Sequence, residues 1–209
     1  MYFLNRKEAG QKLAERLAKE DYKDPLVLGL ARGGVPVAYE VAQELHAPLD
    51  VLVVRKIGIP WNPELAMGAL TLGTIILNRD MIHSLHIGDE EINMIIHQEE
   101  EILNQRLLAY RGHKKPPDLE NKTVILVDDG LATGSTMKAA VLSVKTKHPL
   151  KIVVAVPVGP PETVHELEDM ADEVICLYQP TSFMAVGGYY LTFAQTSDED
   201  VVALLNRKT

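Results

Sequence analysis

Two adjacent carboxylates, Asp128 and Asp129, follow a run of apolar residues in VILVDDGLATGSTM (124–137). Ionised groups side by side repel and lose solvation, so a fold does not place them at a strand mouth for stability. Carboxylates accept hydrogen bonds, and the neighbouring hydroxyls of a ribose are donors that would use both. Ala132, Thr133, Gly134, Ser135 and Thr136 then lead into a helix. Free N–H groups at a helix start, the positive end of the helix dipole and three hydroxyls make a cradle for phosphate. Gly134 lets the backbone come close to the anion. The plainer alternative is an acidic strand end followed by a Ser/Thr helix cap.

These residues need a strand before them and a helix after them, and the rest of the chain supplies a matching frame. Asn5 with Glu8 predicts a capped helix over about 5–20. PLVLGL (25–30) reads as a buried strand, ARGG (31–34) as a tight loop and VPVAYEVAQEL as a helix. LDVLVV (49–54), TVILVDD (123–129), KIVVAVPV (151–158) and EVICLY (173–178) are further strands. Residues 55–66, with two prolines and a glycine, read as a long loop of functional interest. GALTLGTIILN (68–78) predicts a hairpin turning near Gly73. Asp89 caps a helix to about Tyr110, with Glu99–Glu101 on its solvated side, and 112–122 is a linker. Pro161 starts another helix, and Ser197 caps a last one. Strands alternating with helices predict an α/β fold with a mainly parallel twisted sheet, helices on both faces and a single domain over 1–209. In such a sheet, ligands bind beyond the carboxyl ends of the strands.

The segment 124–137 closely resembles the phosphoribosyl-pyrophosphate signature of type I phosphoribosyltransferases: an apolar strand, two acidic residues and a T-G-x-T loop. The resemblance implies that Asp128 and Asp129 hold the ribose hydroxyls and that Ala132 to Thr136 hold the 5-phosphate. GLARGG (29–34) is similar to the family's pyrophosphate loop. This implies pyrophosphate contacts from Ala31, Arg32, Gly33 and Gly34, a catalytic role for Arg32 and a cis Ala31–Arg32 bond. Taken by itself the segment reads first as a plain β-to-α turn with a surface arginine. VVRKIGIPWNPELAMGA (53–69) occupies the place of the family's mobile catalytic loop. The resemblance gives Arg55 and Lys56 catalytic contacts to pyrophosphate; an ordinary basic loop is the alternative.

The family reaction moves ribose 5-phosphate to a nitrogen acceptor, with inversion and release of pyrophosphate. It implies Mg²⁺ held mainly by the substrate, with Asp128 and Asp129 as its protein contacts. Ala132 stands where 6-oxopurine members have an aspartate, a pattern nearer to adenine or uracil members. The general base is open, with Glu64 a candidate by loop position. A hood of terminal segments is expected, with QPTSFMAVGGYYLTF (179–193) offering Phe183, Tyr189 and Tyr190, besides Phe193, to a base. The alternative is an aromatic cluster that ties the chain end down. The helical stretch at about 79–115 is an elaboration, and a homodimer is expected. A sensor of phosphoribosyl pyrophosphate without turnover is the alternative function.

Composition narrows the remaining classes. Hydrophobic residues at 46% and charged residues at 24% exclude a disordered chain. A formal net charge of −8 disfavours nonspecific nucleic-acid binding. The lone Cys176 excludes a disulfide framework and a Cys-rich zinc site. His83 and His86 lack an acidic ligand set and read as surface residues. No apolar run reaches the roughly 18–20 residues of a membrane span, and no signal-peptide core follows Met1. The expected location is the cytoplasm.

Overall fold

The computed structural model describes residues 2–207, the side chain of Glu64 excepted. In chain order the elements are α1 (Arg6–Leu17), β1 (Pro25–Leu30), α2 (Gly34–Glu44), β2 (Leu49–Leu52), β3 (Arg55–Ile59), β4 (Asn62–Thr71) and β5 (Thr74–Leu77). They continue with α3 (Arg79–Ser84), α4 (Asp89–Arg111), β6 (Thr123–Val127), α5 (Ser135–Lys145), β7 (Lys151–Val158), α6 (Pro161–Glu168) and β8 (Glu173–Tyr178). A 3₁₀ turn, Val186–Tyr189, precedes α7 (Asp198–Leu205).

Alternation along the strands decides the layers. Val27, Ile125 and Val153 pack with α1 and α2, whereas their neighbours Leu26, Val124 and Ile152 pack with α5 and α6. Strands apolar on both sides need cover on both faces, which crossover helices provide. The main sheet is parallel throughout, in the order β2-β1-β6-β7-β8. From β1 the chain moves first to β2 on one side and later to β6 on the other. That reversal opens a crevice beyond the carboxyl ends of β1 and β6. The predicted α/β class is the observed one.

The segment 55–66 corrects the expectation of a loop. It forms most of an antiparallel hairpin, β3 with β4, turning at Pro60 and Trp61, and β5 completes a three-stranded sheet. Pro60 lies in the turn and Pro63 near the strand start, positions that tolerate a missing ladder donor. Gly58 sits where the register shifts, and a Cβ there would lie 2.4 Å from the Pro63 carbonyl oxygen. Ile57, Met67 and Leu70 of this sheet bury against Ile92, Leu103 and Leu107 of α4 and Val201 of α7. The expected turn at Gly73 is present, with φ of 72°.

Two smaller expectations also change. Gly88, not Asp89, caps α4. Glu99 does not lie on the solvated side: its Oε2 accepts from Arg55 Nε at 2.6 Å, and its side chain is largely buried. The capping of α1 is as predicted, with Glu8 N–H donating to Asn5 Oδ1 at 3.0 Å. Among the described residues, no helix is long and apolar enough to cross a membrane.

Candidate active site

Strands β1 and β6 end side by side, Gly29 opposite Val127, so the loops that follow them must share one crevice. Glycine decides how closely they pack. A Cβ on Gly33 would stand 2.1 Å from Asp129 Oδ2. On Gly34 it would meet the Val127 carbonyl oxygen at 2.5 Å and the Asp128 Cα at 2.8 Å. Any larger residue would push the arginine loop off the acidic pair. The Ala31–Arg32 bond is cis.

The acidic pair is half-buried, and its oxygens are partly used. Asp129 N–H donates to Asp128 Oδ1 at 2.8 Å. Arg6 Nε donates to Asp129 Oδ2 at 2.8 Å, and the Tyr190 hydroxyl donates to the Asp129 carbonyl at 2.6 Å. Burial, and then the charge of Asp129, raise the Asp128 pKa well above its ordinary value. Burial also raises that of Asp129, with the Arg6 guanidinium opposing it. Burial pushes the Tyr190 phenol up, so it stays a donor.

The glycine at the start of α5 bends the chain into the cradle geometry. Gly134 caps α5 with φ of 69°, a left-handed conformation that suits glycine. The first amides of α5, at Ser135, Thr136 and Met137, have no acceptor within the helix. Thr133 and Ser135 are exposed, as is Ala132, so the loop opens outward. It is pinned from behind by α6, where Thr163 Oγ1 donates to the Ala132 carbonyl at 3.0 Å.

Beside the arginine loop and Asp129 lies a cavity of about 540 Å³, walled by Arg6, Arg32, Gly33, Asp129, Val186, Phe193, Gln195 and Thr196. The Arg32 guanidinium is one-third exposed, and its nearest carboxylate is Asp198 at 3.9 Å. It has the freedom to meet an anion. Another cavity, of about 530 Å³, lies under the 112–122 linker against Leu28, Leu72 and Val144, and none of the candidate site residues named from the sequence lines it.

The structure thus packs Gly33 and Gly34 against Asp128 and Asp129, and puts Arg32, Gly33 and Asp129 on the cavity wall; Asp128 and the 132–136 loop follow β6 at the same end of the sheet but do not line that cavity. It does not bring Arg55 or Lys56 to the cavity wall: Arg55 is paired with Glu99 and Lys56 is exposed. Glu64 lies on β4, and its side chain is outside the described residues. The aromatic hood divides in two. Phe183 stacks on Tyr189 with ring centroids 5.3 Å apart, and Tyr189 also stacks on Tyr2. Tyr190 is buried between Phe3 and Phe193, at 5.5 and 4.9 Å. Of the aromatics among the described residues, only Phe193 lines the cavity. Residues 3–4 run parallel to 189–192, joined by Phe3 N–H to the Tyr189 carbonyl and Leu191 N–H to that of Phe3, both at 2.8 Å.

Arg6 was not visible from the sequence. Its Nη1 donates to the Ala194 carbonyl at 2.6 Å, and its guanidinium lies 3.8 Å over the Phe193 ring. One side chain from α1 therefore clamps Asp129 and the 193–194 strap together. A lone arginine in the first turn of a helix carries no signal of this.

Comparison with known proteins agrees with this arrangement. The family model described as phosphoribosyl transferase domain matches residues 4–193. The crystal structure of TT1426 from Thermus thermophilus superposes with a TM-score of 0.86 at 44% identity, covering 98% of each chain. AQ2163 from Aquifex aeolicus, at 15% identity and a TM-score of 0.51 over 82% of this chain and 72% of its own, shares the fold. The Mycobacterium tuberculosis (strain H37Rv) protein named "Putative phosphoribosyl transferase Rv0571c" is 45% identical over 206 residues, 98% of this chain but 46% of that protein. The present chain spans about half the length of that relative. Agreement across nearly all of this chain's length fixes its kinship: the protein belongs to the phosphoribosyl transferase domain family.

Proposed function

We propose that the protein transfers ribose 5-phosphate from phosphoribosyl pyrophosphate to a nitrogen acceptor and releases pyrophosphate. One observation carries this reading: a carboxylate pair with a helix-start cradle after β6, and a glycine-packed arginine loop after β1, stand at the carboxyl ends of adjacent strands. Each matches one part of that substrate. The α5 amides and the hydroxyls of Thr133, Ser135 and Thr136 hold the 5-phosphate. Asp128 and Asp129 accept from the ribose hydroxyls. The backbone of residues 31–34 and the Arg32 guanidinium hold the pyrophosphate.

In the reaction, the bond from the anomeric carbon to the pyrophosphate oxygen breaks, and its electron pair leaves with pyrophosphate. Positive charge develops on the sugar ring, and the acceptor nitrogen forms the new bond from the opposite face. The chain's contribution is to fix the ribose, stabilise the departing charge and exclude water. Arg32 does the second, and Val186 and Phe193 supply apolar wall for the third. The oxygen donors of Asp128 and Asp129 suit a hard cation, and among the described residues no group of three or more His, Cys, Asp and Glu is placed to hold a metal by itself. A Mg²⁺ ion held by substrate oxygens beside Asp128 and Asp129 would supply charge neutralisation for the leaving group.

The test is pyrophosphate release from phosphoribosyl pyrophosphate with Mg²⁺ across a panel of free bases, with calorimetry alongside. Asp128→Asn with Asp129→Asn is expected to weaken binding by more than about a hundredfold, through loss of charge-assisted acceptors. Undiminished affinity refutes the ribose assignment. Tight binding with no turnover on any acceptor would mark a sensor instead of an enzyme.

A further inference from the structure

Helix α1 docks through Ala9, Leu13, Ala14 and Leu17, an apolar stripe at helical spacing that needs no buried charge to hold it. A nearly buried ion pair stabilises a fold no more than apolar residues of the same volume would. Yet Arg6, in the first turn of that helix, pairs with Asp129 at 2.8 Å, the two side chains being only 12% and 14% exposed. We infer that Arg6 is a positioning residue for the transfer, a role that rests on the phosphoribosyl-transfer reading of the crevice. Its one guanidinium holds the ribose-gripping Asp129 and also backs the Phe193 ring, which is the seat for a planar acceptor.

On the donor side, Asp129 is held at three points. Its Oδ2 accepts from Arg6 Nε, its N–H donates to Asp128 Oδ1 at 2.8 Å, and its carbonyl accepts from the Tyr190 hydroxyl at 2.6 Å. Arg6 thus takes one carboxylate oxygen and leaves Oδ1 for a ribose hydroxyl. On the acceptor side, Phe193 is 37% exposed and lines the cavity, yet its ring is not free to turn. The Arg6 guanidinium lies 3.8 Å from its centroid, the Tyr190 ring is 4.9 Å away, and a Cβ on Gly187 would come within 2.9 Å of its Cδ1. A ring fixed in this way offers its remaining surface, beside Val186, as a rigid apolar wall on which a flat heterocycle can rest. Arg6 also ties the two sides together, because its Nη1 donates at 2.6 Å to the carbonyl of Ala194, the residue after Phe193. Bonds from Leu191 N–H to the Phe3 carbonyl and from Thr192 N–H to the Leu4 carbonyl, at 2.8 and 2.9 Å, keep this strap in register with the start of α1. A planar guanidinium can serve a carboxylate, a carbonyl and a ring face at once, whereas an ammonium offers no plane. The spacing between the ribose grip and the acceptor seat is therefore set by one side chain, and the relative placement of two reactants is where rigidity gains most rate.

The test compares Arg6→Gln, Arg6→Lys and, at the far end of α1, Leu17→Ala. Leu17 is fully buried, so truncating it weakens the same helix by opening a cavity while the site's own contacts stay in place. Calorimetry reads the affinity for phosphoribosyl pyrophosphate with Mg²⁺, and pyrophosphate release reads KM for the base that the parent uses, both well below each variant's thermal midpoint. Arg6→Gln is expected to weaken donor binding by about tenfold or more and to raise the acceptor KM about tenfold, the scale of losing a charge-assisted contact. Arg6→Lys restores the cation without the plane, so donor affinity should return to within about threefold of the parent while the acceptor KM stays raised. Leu17→Ala should keep both within about twofold, which a merely structural role for Arg6 does not allow. Unchanged affinity and KM in Arg6→Gln, the same losses in Leu17→Ala, or full recovery of both in Arg6→Lys overturns the role. A parent that binds phosphoribosyl pyrophosphate, beside Arg6 variants of equal affinity and KM, refutes this role alone. A parent that binds none of it, or binds it and turns over no base, refutes the proposed function, and this role falls with it.

Discussion

Gly134→Ala tests the phosphate cradle through two separable costs. Its φ of 69° is one, because a left-handed residue with a Cβ costs about 1–2 kcal/mol. The other is steric: the added Cβ would lie 2.5 Å from Thr163 Cγ2, and inserting an atom into packed space costs about 1–3 kcal/mol. Together they predict a loss of roughly 2–5 kcal/mol, or a fall in thermal midpoint of about 5–15 °C for a chain of this size. Thr163→Ser separates the two costs. It deletes the clashing methyl but keeps the hydroxyl that donates to the Ala132 carbonyl at 3.0 Å. The double variant should recover the steric share, giving a favourable coupling of about 1–2 kcal/mol in a double-mutant cycle. Urea denaturation of the four proteins reads the coupling, and calorimetry with phosphoribosyl pyrophosphate reads the cradle. A double variant no more stable than Gly134→Ala alone would refute the packing argument.

The acidic pair makes an opposite prediction. Burial and the neighbouring charge lift the Asp128 carboxyl above its ordinary 3.8, so the folded state binds its proton more tightly than the unfolded chain does. That contribution to stability is complete below about pH 4 and is lost as pH rises toward the raised value. Asp128→Asn keeps an oxygen for Asp129 N–H; in metal-free buffer its thermal midpoint should match the parent near pH 4 and exceed it by a margin that grows as pH rises toward 8. A gain that does not grow with pH contradicts this account. Arg6→Gln leaves Asp129 without its cation and frees the 193–194 strap. Breaking a mostly buried pair of this kind should cost about 2–4 kcal/mol in urea denaturation, whereas a loss under about 0.5 kcal/mol would make it an ordinary surface pair.

What could be seen in the sequence was what is contiguous. Asp128, Asp129 and the 132–136 loop lie within nine residues, so spacing alone suggested a sugar phosphate site. The parallel sheet followed from unbroken apolar runs such as Ile152–Val158, whose two-sided burial leaves a plain pattern. Distant partners left none. Arg6 and Asp129 are 123 residues apart, and Arg55 and Glu99 are 44 apart. Each residue alone reads as an exposed charge. The β3–β4 hairpin was missed for a different reason. Pro60, Pro63 and Gly58 are turn-formers taken singly, and only the small sheet's packing on α4 shows why strands tolerate them there.

The pairing of Phe3 with Tyr190 has a consequence for biosynthesis. A chain emerging from the ribosome can build its sheet early, but the recess that would receive substrate closes only after residues beyond Tyr189 return to the first few.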